Sequence, residues 1–490
     1  MSNKELDSLI IKIKNYEKRR QPLEPDQSHR DELNKHMIAY SDSFLRSISH
    51  SKAFEDDNSL ADTLLEEPIK EEASSFSDIL DQLWNCVDNQ GLNPASGGHL
   101  GYIPGGGVFA SSIGDYLAAI TNRYAGMHFA SPGAVNIERR LIAWMCQIFD
   151  MPKKSGGTMC SGGSIASLIG ITCARDTMGI TPDKVSKSVI YLCDHTHHCV
   201  HKAIRIAGLT HAIIRNIPRD LKDRMCTQSL EQQIKSDISD GLLPFIVISS
   251  AGSTDTGAVD DLYTIGLISK ANNVWHHVDA AYGGFFMLCE EQRPIFRGIE
   301  DADSIVVDPH KGLFLPYGLG VLLIKDQSLL LPTFHYKANY MQDAYRDMDV
   351  FSPADLSPEL TRHYRALRMW IPIKLHGIGP FRDALHEKLL LAQYATVKLK
   401  MIRYCKLRST PMLSVVCFRL EPHQSETDNN ENEQLVDFIR KRGKVFLSST
   451  VIDGATYIRM AILSFRTNIE TVDLALDEIR CYISTHIDQV

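Results

Sequence analysis

Lys311 is the residue of this 490-residue chain whose position most clearly favours chemistry. It lies in the turn Asp-Pro-His-Lys-Gly at 308–312, between the apolar runs 304–307 and 320–324, which are typical of buried strands. A lysine between two buried strands is poorly placed to be a solvated surface charge. Its amine can form a Schiff base with a carbonyl compound once the surroundings lower its pKa. The alternative is an exposed loop lysine, because His-Lys pairs are common.

A carboxylate and a glycine-rich turn upstream supply two further groups. Asp279 ends a predicted strand and is followed by small residues, among them Ala281. Pyridoxal phosphate (PLP) acts as an electron sink only while its pyridine nitrogen is protonated, which an aspartate partner ensures, and Ala281 would let a flat ring lie against the protein. The turn Gly162, Gly163 and Ser164 precedes a helical stretch, and helix N-termini bind phosphate. A Gly-Gly-Ser turn by itself is more often only a loop.

Five short motifs occur in a defined order along the chain. They are Gly-Gly-Ser at 162–164, a histidine-rich segment at 193–198, Gly-Ser-Thr at 252–254, Val-Asp-Ala-Ala-Tyr at 278–282 and Asp-Pro-His-Lys at 308–311. In this order they resemble the group II PLP decarboxylases, the family of the aromatic-L-amino-acid and glutamate decarboxylases. The resemblance extends from Ser96 to the C terminus. It implies the fold-type-I PLP-dependent transferase fold, a homodimer, and loss of the α-carboxyl group of an L-amino acid as carbon dioxide.

The resemblance also implies roles for residues around Lys311, which would hold the coenzyme as an internal aldimine. His310 would hydrogen-bond the phosphate or the substrate adduct. Asp308 stands where related enzymes often have an asparagine that contacts the phosphate. Because a carboxylate repels a phosphate dianion, we expect Asp308 either to turn away or to pair with a base. Gly312 departs from the tryptophan that is common after the lysine.

A cluster of histidines allows two interpretations. Imidazole is the commonest zinc ligand, but no H-E-x-x-H or CxxC pattern accompanies the cluster, so we predict no metal site. The resemblance implies instead that His197 stacks on the coenzyme ring opposite Ala281, and that Thr254 lies near the coenzyme and Asp279. The histidines of the cluster are His195, His197, His198 and His201.

Two further stretches are expected to act on the substrate. The glycine-rich segment 97–107 suits a backbone that lines a pocket closely. By resemblance it contributes Tyr102 and Ile103 to a substrate pocket that also contains Tyr124 and Phe129, although the aromatic residues among them could equally be ordinary core. Ile103 replaces a phenylalanine that aromatic-specific enzymes tend to carry. The pocket would therefore admit a substrate with either an aromatic or a medium-sized apolar side chain.

The polar stretch 333–349 lacks periodicity, as a mobile lid would. The resemblance implies that Tyr340 in this stretch returns a proton to the substrate Cα after carbon dioxide leaves, whereas a phenylalanine there would favour formation of an aldehyde. The alternative is an exposed loop tyrosine. Other PLP reactions, such as aldehyde synthesis or carbon–carbon lysis, share the coenzyme residues, and a non-catalytic PLP- or metal-binding protein is a more distant rival.

The elements that must position these residues alternate along the chain. Apolar runs at 188–192, 243–248 and 304–307 are separated by helical stretches, which predicts an α/β fold with a mostly parallel sheet and sites at the carboxyl ends of its strands. We predict an N-terminal helical arm at 1–95, a large PLP-binding α/β domain at 96–372 and a small C-terminal α+β domain at 373–490. The arm begins with an amphipathic helix, which either packs on its own domain or docks on a second subunit.

Composition excludes several classes of protein. The formal net charge of −8 disfavours a nucleic-acid partner. Eleven cysteines without paired spacing, and an N terminus unlike a signal peptide, indicate the reducing cytoplasm. We expect no membrane-spanning segment, because no apolar run approaches the ~20 residues that one requires. The expected partners are an amino-acid substrate and a second copy of the chain.

Overall fold

The computed structural model describes residues 2–336, 351–423 and 428–489. The chain forms two compact units, Met1–Asn93 and Pro94–Val490. The first unit is helical, with one pair of two-residue antiparallel strands. Its elements are α1 (Asn3–Arg19), α2 (Gln27–Ser47), β1 (Phe54–Glu55), α3 (Ser59–Glu66), α4 (Phe76–Leu83) and β2 (Gly91–Leu92).

Helix α1 is the amphipathic helix that the sequence predicts. A capping box starts it, in which the Ser2 side chain accepts from the Glu5 backbone N–H and the Glu5 side chain accepts from the Ser2 N–H. None of its side chains is buried, and Leu6, Ile10 and Ile13 on its apolar face are exposed. The arm therefore carries an apolar helix face at the surface.

The second unit is built on a seven-stranded sheet with the order β3-β9-β8-β7-β6-β4-β5. Strand β9 runs antiparallel to both of its neighbours, and the other pairs are parallel. The predicted mostly parallel sheet of an α/β fold is thus confirmed. Its strands are β3 (Gly156–Cys160), β4 (Ser188–Cys193), β5 (Ile213–Ile217), β6 (Leu243–Ser250), β7 (Trp275–Asp279), β8 (Ser304–Val307) and β9 (Gly320–Ile324).

Helices cover both faces of this sheet, which explains why its central strands are continuous apolar runs. In β8, for example, Ile305 and Val307 belong to one core cluster, whereas Val306 belongs to another on the opposite face. The helices of this part are α5 (Phe109–Thr121), α6 (Pro132–Ile148), α7 (Gly163–Thr177), α8 (His198–Ile206), α9 (Thr227–Ser239), α10 (Leu262–Ala271), α11 (Pro309–Gly312), α12 (Leu331–Phe334) and α13 (Ala366–His376).

The C-terminal part is a smaller α+β domain with its own core, as expected. Its four-stranded sheet is antiparallel, with the order β10-β11-β13-β12. The stretch 421–433 is polar and its composition predicts a loop, but this prediction is wrong, because a helix begins at Asp428. The elements are α14 (Gly379–Leu399), β10 (Cys405–Leu407), β11 (Val415–Leu420), α15 (Asp428–Arg442), β12 (Ser448–Ile452), β13 (Ala455–Ala461) and α16 (Ile469–Tyr482). The three domain ranges themselves stay predictions.

The topology brings the sequence motifs to one edge of the large sheet. Each motif follows the carboxyl end of β3, β4, β6, β7 or β8, strands that all point the same way. Such edges are where open α/β sheets bind ligands. Among the described residues, no helix has both the length and the apolar character needed to cross a membrane.

Candidate active site

A cavity of about 360 Å³ opens at this edge of the sheet. The predicted coenzyme-binding residues all line it. They are Gly162, Gly163, Ser164, His197, Thr254, Asp279, Ala281, Asp308, His310 and Lys311. The sequence therefore identified residues from five separate segments that the fold brings together around one space.

Lys311 lies in the short helix α11, directly after β8, and its side chain is 21% exposed. Its Nζ lies 3.1 Å from Oδ2 of Asp308. Burial alone would lower the pKa of Lys311, but the nearby carboxylates of Asp308 and Asp279 outweigh burial and raise it. The expectation that Asp308 turns away or pairs with a base is resolved here, because this carboxylate pairs with Lys311.

Asp279 ends β7, which lies between β6 and β8 near the middle of the sheet. Its Oδ1 accepts a hydrogen bond of 3.1 Å from the N–H of Ala281, which fixes the carboxylate at the edge. Ala281 is buried and also lines the cavity. Asp279 would thus supply a fixed carboxylate to the ring nitrogen of a coenzyme bound in this cavity.

His197 is the N-cap of α8, where its Nδ1 accepts from the N–H of Cys199 at 3.4 Å. Burial lowers the pKa of His197. The ring is therefore neutral near pH 7, as a stacking partner for an aromatic coenzyme can be.

Gly162, Gly163 and Ser164 form the start of α7, whose first backbone N–H groups have no partner within the helix. Steric contacts explain the glycine at 163, since a Cβ there would lie 2.7 Å from Oδ2 of Asp308. The 15-residue helix adds partial positive charge at this end. The turn can therefore receive an anionic group such as a phosphate.

The imidazole of His310 is fixed by a hydrogen bond to the main chain. Its Nδ1 donates to the carbonyl oxygen of Leu319 at 2.7 Å, which leaves Nε2 unprotonated in the neutral ring. Burial lowers the pKa of His310, and its ring contacts Tyr317 at 5.7 Å between centroids. Nε2 is thus an acceptor at the cavity, 3.8 Å from the Asp308 carboxylate.

The residues present fit PLP. A neutral aromatic ring, a small residue, a fixed carboxylate, a lysine amine and free helix N–H groups line one cavity of suitable chemistry. Both ring nitrogens of His195, another residue of the cavity lining, are buried without a hydrogen-bond partner among the described residues. Unpaired buried polar atoms of this kind are expected where a polar ligand belongs.

The predicted substrate residues are not among those that line the cavity. Tyr102 and Phe129 are 58% and 64% exposed, whereas Ile103 is buried in the large core. Tyr124 donates its hydroxyl to the carbonyl oxygen of Leu360 at 2.9 Å. Their role at the substrate stays a prediction, as does that of Tyr340, which lies outside the described residues.

Two residues that contact the cavity lining were not predicted from the sequence. Arg459 of β13 is buried and donates to the carbonyl oxygens of Tyr102, Thr254 and Asp255, so it ties the C-terminal sheet to the Thr254 loop. Tyr317 lies against His310. Neither residue belongs to a local motif, and each is recognised only by its contact with a residue that lines the cavity.

One group has the composition of a metal site. Cys193, Asp194 and His195 place ligand atoms within 4.8 Å of one another. Asp194 also forms an ion pair of 2.9 Å with Arg219, and the imidazole of His195 lies 3.7 Å from the carboxylate of Asp260. A guanidinium beside the group opposes a cation there, and the absence of a metal stays a prediction.

The fold and this arrangement of groups define a fold-type-I PLP-dependent enzyme. The chain matches the family model "Pyridoxal-dependent decarboxylase conserved domain" over residues 60–421. It therefore belongs to the pyridoxal-dependent decarboxylase family, whose members are PLP-dependent carboxy-lyases, and the predicted family is confirmed.

Individual relatives agree with this assignment. The chain is 32% identical to an aromatic-L-amino-acid decarboxylase of Bacillus atrophaeus, over 84% of this chain and 87% of that protein. It is 28% identical to a phenylacetaldehyde synthase of Arabidopsis thaliana, over 74% of this chain and 76% of that protein. The crystal structure of Oryza sativa TDC with PLP and tryptamine shares the fold, with a TM-score of 0.89 at 22% identity, over 94% of this chain and 99% of that one.

Proposed function

We propose that this enzyme converts an aromatic L-amino acid to the corresponding amine and carbon dioxide, with the coenzyme attached to Lys311 as a Schiff base. The observation that carries the proposal is the convergence of Lys311, Asp279 and the α7 turn on one cavity. The aromatic class of substrate is supported by relatives named as aromatic-L-amino-acid, tryptophan and tyrosine decarboxylases.

When bound, PLP supplies an electron sink for the pair of electrons released as the carboxyl group leaves. The protein's own residues would bind and orient the reactants and set their protonation states. The N–H groups at the start of α7 would hold the phosphate, and Asp279 would keep a proton on the ring nitrogen. His197 and Ala281 would hold the ring from opposite faces. Lys311 would supply the amine for attachment, and Tyr340 would return a proton to the substrate Cα.

We propose a homodimer on the basis of α5. One side of this helix packs on α13 so closely that a Cβ on Gly114 would lie 2.4 Å from the carbonyl oxygen of Leu367. The exposed side of the same helix carries large apolar side chains three or four residues apart, namely Phe109, Ile113, Leu117 and Ile120. A contiguous apolar stripe of this kind is typical of a protein interface, and a second copy of the chain is the partner we propose. We also propose a cytoplasmic location, which the eleven free cysteines support.

The decisive experiment for the reaction is carbon dioxide release from a panel of L-amino acids, by the purified protein supplied with PLP, with the products identified. We expect release from tryptophan, tyrosine or phenylalanine, with one amine formed per carbon dioxide. Release from an acidic amino acid alone would contradict the substrate class. If the coenzyme bound and no amino acid lost carbon dioxide, the proposed reaction would be wrong.

Aldehyde formation is a second candidate, because a phenylacetaldehyde synthase is among the relatives. We predict that the wild-type protein forms amine, since position 340 is a tyrosine able to donate a proton. Tyr340→Phe should lower the yield of amine and raise that of aldehyde, as read by chromatography of both products. The aldehyde route is oxidative, so it should consume dioxygen, which is reduced to hydrogen peroxide, and release the amino group as ammonia. Tyr336→Phe, in the same stretch, is the matched control and should keep the wild-type ratio. Equal product ratios in all three proteins would remove Tyr340 from the mechanism.

A further inference from the structure

Asp308 is buried beside the amine that it contacts. It is 2% exposed, its Oδ2 lies 3.1 Å from Nζ of Lys311, and its Oδ1 has no hydrogen-bond partner among the described residues. A buried carboxylate with one unpaired oxygen is costly unless a cation compensates its charge. Lys311 is the cation closest to it in the described part of the chain.

Close packing keeps the Asp308 carboxylate in this position. Cβ atoms added to Gly163 and Gly320 would each lie 2.7 Å from one of its oxygens, so the backbones of β9 and of the α7 turn enclose it. The charge therefore stays between the lysine amine and the turn that would hold the phosphate.

The groups that face Lys311 come from several elements, and most of them are not cationic near pH 7. Burial lowers the pKa of His197 and of His310, and burial raises the pKa of Cys199 to about 11. Burial likewise raises the pKa of Tyr317. The remaining facing groups are the carboxylates of Asp308 and Asp279, and the pKa of Lys311 is raised in their presence.

We propose that Asp308 is the counter-ion that keeps Lys311 protonated in the coenzyme-free protein, so that this carboxylate controls how readily the lysine reacts with a carbonyl group. An ammonium has no lone pair, so Lys311 must release a proton before its nitrogen can attack. Asp308 opposes that release. It is thus a positioning residue, which sets the charge of the reactive amine and the pH at which the amine becomes a nucleophile.

The purpose of the counter-ion rests on the proposed function. The counter-ion role itself does not, because the charge of Lys311 can be measured without coenzyme. Acetic anhydride is a suitable probe. It reacts with a neutral amine to form an Nζ–C bond, acetate leaves, and the amine proton passes to the buffer. The rate at each lysine therefore reports the neutral fraction of that amine.

The experiment compares wild type, Asp308→Asn and Asp303→Asn, all freed of coenzyme, by mass spectrometry of acetylated peptides between pH 7 and 10. Asparagine keeps an oxygen that can accept from Lys311 but removes the charge. Asp303 is the matched control because it is a half-buried carboxylate directly before β8, at the end of the strand away from Asp308. Its Oδ2 accepts a hydrogen bond of 2.9 Å from the His276 N–H. Exposed Lys154 serves as the internal reference.

An opposite charge at this distance raises a lysine pKa by about one unit or more, so Asp308→Asn should raise the neutral fraction of Lys311 about tenfold or more. We expect Lys311 in this variant to be acetylated faster at pH 8, with its pH profile shifted to lower pH. Asp303→Asn should match wild type. Labelling of Lys311 in Asp308→Asn within twofold of wild type, or an equal increase in Asp303→Asn, would overturn the proposal.

A separate measurement distinguishes failure of this proposal from failure of the proposed function. Wild-type protein is mixed with PLP, and the visible absorbance of bound coenzyme is followed over time at the same pH values. If Lys311 labelling follows the prediction but no coenzyme binds, the counter-ion role stands and the function is wrong. If coenzyme binds but labelling is unchanged by Asp308→Asn, the function stands and the counter-ion role is wrong.

Discussion

Lys388 and Lys311 both have side chains that are largely removed from solvent, but the groups around their amines differ. Lys388 in α14 has a fully buried side chain, and its Nζ donates to the carbonyl oxygen of Thr467 and lies 2.8 Å from a carboxylate oxygen of Glu387. Lys311 is 21% exposed and faces a cavity of about 360 Å³. Burial lowers the pKa of Lys388, whereas the two carboxylates near Lys311 raise the pKa there despite burial.

The difference separates a lysine whose amine is enclosed by protein from one whose amine a ligand can reach. The amine of Lys388 binds fixed protein acceptors and links α14 to the segment before α16, a structural role. The amine of Lys311 is held by one carboxylate at the rim of a space that a ligand can enter. A reactive lysine needs an open side and a controllable charge. Of these two lysines, only Lys311 has both.

Removing the Lys311 amine tests this comparison with the largest expected effect. Lys311→Ala should abolish the visible absorbance of bound coenzyme and all carbon dioxide release, because Lys311 is the one lysine among the described residues that line the cavity. Lys388→Met should keep both signals. The comparison would fail if Lys311→Ala bound coenzyme with full absorbance.

Asp279→Asn is expected to have a smaller effect, again confined to the cavity that contains Lys311. Asparagine keeps an oxygen that can accept from the Ala281 N–H but removes the charge that would keep the coenzyme nitrogen protonated. We expect turnover to fall about 100-fold, the usual scale for loss of one electrostatic group in an active site. Steady-state kinetics measures this, and thermal unfolding should stay close to wild type. Unchanged turnover would separate Asp279 from the chemistry.

Lys388→Met should have the smallest effect, and it should be on stability. The apolar stem is preserved, but the carbonyl oxygen of Thr467 loses a buried donor. We expect a loss of about 1–3 kcal/mol in the free energy of unfolding, measured by urea denaturation. A coenzyme affinity changed more than the stability would show that Lys388 also serves the site.

Much of the fold was predictable because its central strands are uninterrupted apolar runs. The strands at 304–307 and 320–324 occur with the predicted bounds, and the strand predicted at 188–192 extends by one residue to Cys193. The antiparallel direction of β9 was not predicted. The sequence of the segment 308–319 does not show whether the chain crosses over the sheet or turns back beside β8. The start of α15 at Asp428 was also missed, because its first turn is entirely polar.

Part of the predicted coenzyme site follows from the same strands. Lys311, Asp279 and the turn at 162–164 stand at or shortly after strand ends, and parallel strand ends meet at one edge. The predicted roles of His197, Thr254 and His310 rest instead on the resemblance to the decarboxylase family. Contacts between distant segments carry no such local signal. The pairing of Asp308 with Lys311, the enclosure of that carboxylate by Gly163 and Gly320, and the reach of Arg459 to the Thr254 loop all depend on packing across the folded chain.

The most direct test of the central claim is to locate the covalent coenzyme. The PLP-loaded protein is treated with sodium borohydride, which fixes a carbon–nitrogen double bond as a stable amine, and its peptides are mapped by mass spectrometry. We predict that the added mass lies on Lys311 and that Lys388 is unmodified. Stable labelling of another lysine, or none in protein that shows the coenzyme absorbance, would contradict the assignment of Lys311.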